Sequence, residues 1–144
     1  MSESESELGV GRAYDPDREP GSDRAYDPDH MYDLYTRGIA LLEAGDHSAA
    51  AIPLEQARSY EPDKTSVREA LGRAYFHAAR YADAREEFAA VVERAPVNDF
   101  AHFCLGRSLE KTGRRAEARR HLTLAASLRP DRADYRVYRD RLVA

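Results

Sequence analysis

Residues 65–98 read TSVREALGRAYFHAARYADAREEFAAVVERAPVN, and the spacing within this stretch decides the fold. Val67, Leu71, Ala74 and Tyr75 fall at steps of three and four, which places them on one face of a helix. His77-Ala78-Ala79-Arg80 carries no such stripe, and the pattern resumes with Ala84, Phe88, Val91 and Val92 before Pro96 stops it. Two short amphipathic helices joined by a tight turn therefore occupy 34 residues. The same 34-residue step carries the pattern outward in both directions. Gly38, Gly72 and Gly106 form one set, Ala50, Ala84 and Ala118 a second, and Pro62, Pro96 and Pro130 a third. A fixed period running through three residue types marks stacked copies of one helical hairpin.

The expected architecture is all-α: an α-solenoid of three helix-turn-helix hairpins at 31–64, 65–98 and 99–132, followed by a capping helix at 133–144. In the first hairpin Leu34, Gly38, Leu41 and Leu42 share a stripe that ends at Ala44-Gly45-Asp46. Its second helix is expected to begin at Ser48 as N-cap and to run through Pro53, which removes one backbone donor and bends it. The third hairpin carries Leu105 and Leu109, a turn at Gly113, then Ala118, Leu122, Ala125 and Leu128. Tyr135, Tyr138 and Leu142 mark the last helix. A small residue on each helix of a hairpin (Gly38 with Ala50, Gly72 with Ala84, Gly106 with Ala118) is expected to let the two backbones approach closely. No such hairpin buries its apolar face alone, so neighbours supply the stability.

The pattern resembles the tetratricopeptide repeat, whose 34 residues carry Trp-x2-Leu-Gly-x2-Tyr, then Ala-x3-Phe, then Pro. The second copy is nearest, with Leu71-Gly72-x2-Tyr75, Ala84-x3-Phe88 and Pro96. The third reads Leu105-Gly106-x2-Leu109, Ala118-x3-Leu122, Pro130. The first reads Gly38-x2-Leu41, Ala50-x3-Leu54, Pro62, with Arg37 in place of the Leu. Leu34, Arg68 and His102 stand at the Trp position, so looser packing is expected there. The resemblance implies a curved rod whose first helices line a concave groove for peptides. Mapped onto this chain, that groove takes Tyr32, Tyr35, Ile39 and Leu42, then Glu69, Arg73, Phe76 and His77, then Phe100, Phe103, Arg107 and Lys111. Each set follows three- and four-residue steps, a spacing that core residues also follow. Members of the family that clamp a chaperone's C-terminal carboxylate use Lys, Asn and Arg at positions that here are Tyr35, Ile39, Ala70, Phe100 and Cys104. That subtype does not fit.

Composition narrows the function further. The 144 residues carry a net charge of −4, unevenly spread. Residues 1–30 hold nine acids and three bases, a net of −6, which leaves 17 acids and 19 bases, a net of +2, for the rest. That first segment, rich in Pro and Gly and poor in aliphatic side chains, is expected to be a disordered acidic tail. It repeats one hexapeptide, Arg12-Ala13-Tyr14-Asp15-Pro16-Asp17 and Arg24-Ala25-Tyr26-Asp27-Pro28-Asp29, whose Asp-Pro steps favour extended or turn conformations. Its tyrosines and carboxylates match what the groove is expected to take. Folding back into the groove and remaining an unbound arm are both open readings. The acidic start is no secretory signal or transit peptide, and the expected location is cytoplasmic.

No catalytic constellation emerges. Cys104 is the only cysteine, and His102 lies two residues away, about 200° around a helix, so the two form no dyad. The five histidines show no metal-ligand spacing, and neither a metal nor another cofactor is expected. The basic run Arg114-Arg115-Ala116-Glu117-Ala118-Arg119-Arg120 reads as a solvated helix face, with phosphate contact as the lesser reading. The expected function is a non-catalytic interaction module for a protein or peptide partner with acidic groups and apolar anchors. Self-assembly is the alternative, with a monomer or weak homodimer as the expected state, and no membrane association is expected.

Overall fold

The computed structural model describes residues 27–142, so the acidic segment up to residue 26, including any fold-back of it, lies outside the described residues. Residues 28–30, read above as part of the tail, instead form the first turn of α1 (Pro28–Glu43). The reason is local. Asp27 is held extended by the proline after it, at φ −123° and ψ 104°, and its side chain accepts the Asp29 N–H at 3.0 Å. Pro28, at the first helical position, gives up a donor that would have had no partner.

Six further helices follow: α2 (His47–Tyr60), α3 (Thr65–His77), α4 (Tyr81–Arg94), α5 (Asp99–Lys111), α6 (Arg115–Leu128) and α7 (Ala133–Asp140). They pack in sequence order, α1 on α2, α3 on α4 and α5 on α6, each pair leaning on the next. The odd-numbered helices also touch one another, α1 to α3 and α3 to α5, and so form one layer of the solenoid. No strand occurs among the described residues.

The turns inside the hairpins are built alike. In each, the N–H two residues past the C-cap reaches back to a carbonyl five residues earlier: Asp46 to Leu41, Arg80 to Tyr75 and Arg114 to Leu109, at 2.8–2.9 Å. The residue between sits in the left-handed region, Gly45 at φ 84°, Ala79 at φ 62° and Gly113 at φ 80°. This is the Schellman closure of a helix C-terminus. It delivers the chain directly into the next helix, so Asp46, not Ser48, is the N-cap of α2, without a side-chain bond of its own. α2 runs on through Pro53, which is buried within it. Between hairpins, Pro62, Pro96 and Pro130 take the second position of a turn closed from residue 64 to 61, 98 to 95 and 132 to 129.

The glycines do more than let backbones approach, as they do where a methyl group on Gly106 would lie 3.2 Å from the Ala118 carbonyl oxygen. A methyl group on Gly72 would lie 2.8 Å from the Phe88 ring, and one on Gly106 would lie 2.7 Å from Leu122; Leu54 crowds Gly38 in the same way. Each glycine thus receives the large side chain four residues beyond the alanine. Ala50, Ala84 and Ala118 are themselves fully buried in the core.

The positions that lack Trp are not loose. Leu34 is buried. Arg68 Nε donates to the Pro62 carbonyl at 2.7 Å, His102 Nε2 meets the Pro96 carbonyl at 2.8 Å, and Arg136 donates to the Pro130 carbonyl. A second partner sits 19 residues on in the second and third hairpins. Arg68 pairs with buried Glu87 at 3.0 Å, and Arg58 of the preceding hairpin also reaches that carboxylate. His102 Nδ1 lies 3.1 Å from His121 Nδ1. A polar clip on the turn carbonyl replaces the bulk of an indole.

α7 stands in the register of the first helix of a further copy. Arg136 stands at the Trp position, while Arg139 and Asp140 stand where Leu71 and Gly72 would receive a second helix. The two form an ion pair at 2.9 Å instead, which gives α7 a polar face at that position. Tyr135 anchors the helix, wholly buried, its hydroxyl donating to Asp99 Oδ2 at 2.6 Å.

Candidate functional site

Gly72 admits the Phe88 ring into the seam between α3 and α4, and beside that seam a cleft of about 210 Å³ opens between α3 and α5. Arg73, Phe76 and His77 come from the last turns of α3, and Phe100, Phe103 and Arg107 from α5, with Phe88 and Cys104 completing the lining. Helical spacing explains why these side chains meet. Residues 73, 76 and 77 share one face of α3, as 100, 103 and 107 share one face of α5, and the two helices lie side by side.

Second neighbours hold these groups in place. Phe103 stacks on Tyr135 with centroids 4.8 Å apart and meets Tyr138 edge-on at 5.5 Å. Phe76 meets Tyr81 edge-on at 5.1 Å. Arg107 lies between rings, 4.0 Å from the Tyr138 centroid and 5.6 Å from that of Phe76, and its Nε donates to Glu110 at 3.2 Å. His77 stacks on His47 at 4.7 Å; burial, then the charges of His47 and Arg73, hold it below the usual histidine range.

Of the twelve residues assigned to a groove, Arg73, Phe76, His77, Phe100, Phe103 and Arg107 come together at this cleft. The four from α1 do not join them. Leu42 is a core residue at 7% exposure, which corrects its assignment, because the closing turn of α1 folds that face onto α2. Tyr35 and Ile39 pack half-buried against the core, and Tyr32 stands 64% exposed. Glu69 is half-buried on α3, and exposed Lys111 sets its ammonium 5.6 Å from the Tyr81 ring. Phe88 escaped the sequence reading because it lies on the second helix of its hairpin; the small residue at Gly72 was the one signal that its ring passes between helices.

Burial pushes the Cys104 thiol up, which favours its protonated form. The His102 ring is committed to His121 and the Pro96 carbonyl. No group of three or more metal-ligating side chains gathers among the described residues. No helix among them is long and apolar enough to cross a membrane.

Residues 41–103 match the model of a family described as tetratricopeptide repeat. The structure is similar to MamA from Desulfovibrio magneticus RS-1, with a TM-score of 0.76 at 22% identity, over 78% of this chain and 63% of that one. This chain thus spans less than two thirds of MamA's length. It is similar also to the first such domain of Spaghetti (RPAP3) bound to an HSP90 peptide, with a TM-score of 0.75 at 16% identity, covering 81% of this chain and 92% of that one. The Yersinia enterocolitica type III secretion chaperone SycD, in complex with a peptide of the translocator YopD, gives a TM-score of 0.69 at 17% identity, over 83% and 91%. Comparison with curated protein sequences found no match. With its 34-residue hairpins, their period-locked glycines, alanines and prolines and the matching family model, the chain is a tetratricopeptide-repeat protein.

Proposed function

We propose that this chain is a non-catalytic protein-interaction module that takes a peptide segment of another protein in the cleft between α3 and α5. One observation carries the reading: four phenylalanines and two arginines from three helices line one open cleft. Aromatic walls with a few charged groups at the edge are the usual anatomy of a peptide anchor site. Two proteins of the same fold, the SycD chaperone and the RPAP3 domain, are solved with peptides, and this supports the ligand class. The basic run of α6 supports nucleic-acid contact less well, because Arg114 is paired with Glu117 at 2.6 Å.

The test is affinity capture from cell extract with the wild-type chain beside Phe100→Ala. Phe100 lines the cleft and has no ring partner among the described residues, so its loss is expected to leave the fold intact, with the helical circular dichroism and melting temperature of the variant as the check. A partner retained by wild type, lost with Phe100→Ala and kept by a Leu124→Ala control on α6 places the interaction in the cleft. Equal retention by all three would reject this reading.

A further inference from the structure

One 34-residue position carries an arginine three times, Arg73, Arg107 and Arg141, and the three are not equivalent. Arg107 and Arg141 share Glu110, at 3.2 and 3.9 Å, and both lie over the Tyr138 ring. Arg73 has no carboxylate within ion-pair distance among the described residues, although Glu69 stands one turn earlier on α3. It is half-buried and lines the aromatic cleft. A guanidinium drawn partly out of water without a counter-ion is costly, and an incoming carboxylate offsets that cost with two parallel N–H···O bonds. The cleft beside it, at about 210 Å³, is smaller than the roughly 300 Å³ at which small-molecule sites begin, and suits one large side chain.

Building on the function proposed above, we infer that the partner segment is acidic: one large apolar side chain enters between Phe76, Phe100 and Phe103, and a neighbouring carboxylate closes on Arg73. Arg107, already neutralised by Glu110, forms the wall of the cleft and contributes little to the choice of ligand charge. Arg73 is the residue that selects an aromatic-acidic sequence over its amide counterpart.

The test uses the full chain, isotope-labelled, titrated with two blocked peptides, acetyl-Ala-Tyr-Asp-Ala-Asp-amide and acetyl-Ala-Tyr-Asn-Ala-Asn-amide, while the signals of Arg73, Phe100 and Phe103 are followed by NMR. The acidic peptide is expected to bind roughly tenfold more tightly, as a charge-assisted bond implies, and to move the Arg73 side-chain signal. Arg73→Gln removes that preference and leaves the weaker amide affinity unchanged. Arg73→Lys, which keeps the charge without the fork, retains part of it and separates loss of recognition from loss of fold. Equal affinity for the two peptides, with Phe100 and Phe103 still shifting, overturns the acidic assignment while the cleft stands as the binding surface. No shift at Phe100 or Phe103 with either peptide sinks both. Contacts from Tyr14 to Phe103 in the free protein would make this chain's own acidic segment the occupant and overturn the assignment to a partner.

Discussion

At Gly72 the Phe88 ring presses so closely that a single added carbon has no room, and the ring is walled in by the core. Gly72→Leu is therefore expected to destabilise the fold by about 1–3 kcal/mol or more through overpacking, read as a lower urea midpoint with an unchanged slope. Ala79 presents the opposite case. It holds the left-handed conformation at φ 62° that Gly45 and Gly113 adopt in the neighbouring hairpins. A side chain there costs about 1–2 kcal/mol, while glycine carries an entropic cost of roughly 0.5–1 kcal/mol. Ala79→Gly should then stabilise the protein slightly, by up to about 1 kcal/mol, and raise its melting temperature. Both glycine roles recur at the 34-residue step. Only the coordinates tell which large side chain each helical glycine admits, because that partner lies sixteen residues away on another helix.

Among elements, the contact between the first helix and its partner differs chemically between the second and third hairpins: Arg68 with Glu87, His102 with His121. Neutral rings suit the third. His102 Nε2–H donates to the Pro96 carbonyl, so its Nδ1 accepts from His121. Protonation would set two donors face to face. Burial, then the charges of His102 and Arg120, lower His121 from the ordinary 6.5, while Glu117 opposes the shift. Because its folded value lies below its unfolded one, the unfolded chain binds the extra proton first. This contribution is complete above about pH 6.5 and is lost as pH falls through the folded value. His77 shifts in the same direction. The urea midpoint should therefore fall between pH 7.5 and 5.5, and by less in His121→Gln; a flat profile would refute the tautomer assignment. The Trp-position residues read as gaps in sequence, because a donor aimed at a turn carbonyl six residues back has no apolar signature.

For the whole molecule, α7 covers the outer face of the third hairpin. It buries Tyr135 against Ala125 and Ala126 and props Phe103 at the cleft. Ending the chain at Arg132 exposes this surface and strands the Asp99 carboxylate without its tyrosine. In a stack stabilised by neighbours, the end unit's loss weakens the unit beside it. The truncated chain is expected to melt at lower temperature, to bind a hydrophobic dye, and to lose order first in α5 and α6 by amide exchange.

What the sequence by itself determined is the repeat: 34-residue spacing, helix pairs, the stopping prolines and the turn glycines are local consequences of backbone sterics and of apolar period. The tertiary structure decided where the repeats differ. Leu42 turned inward, Tyr35 packed against the core while Tyr32 stayed exposed, Phe88 reached the cleft beside a glycine on another helix, and two of three equivalent arginines found a carboxylate. Each of these depends on distances between helices, set by the side chains that pack at their crossings, and a period read along one chain carries no measure of them.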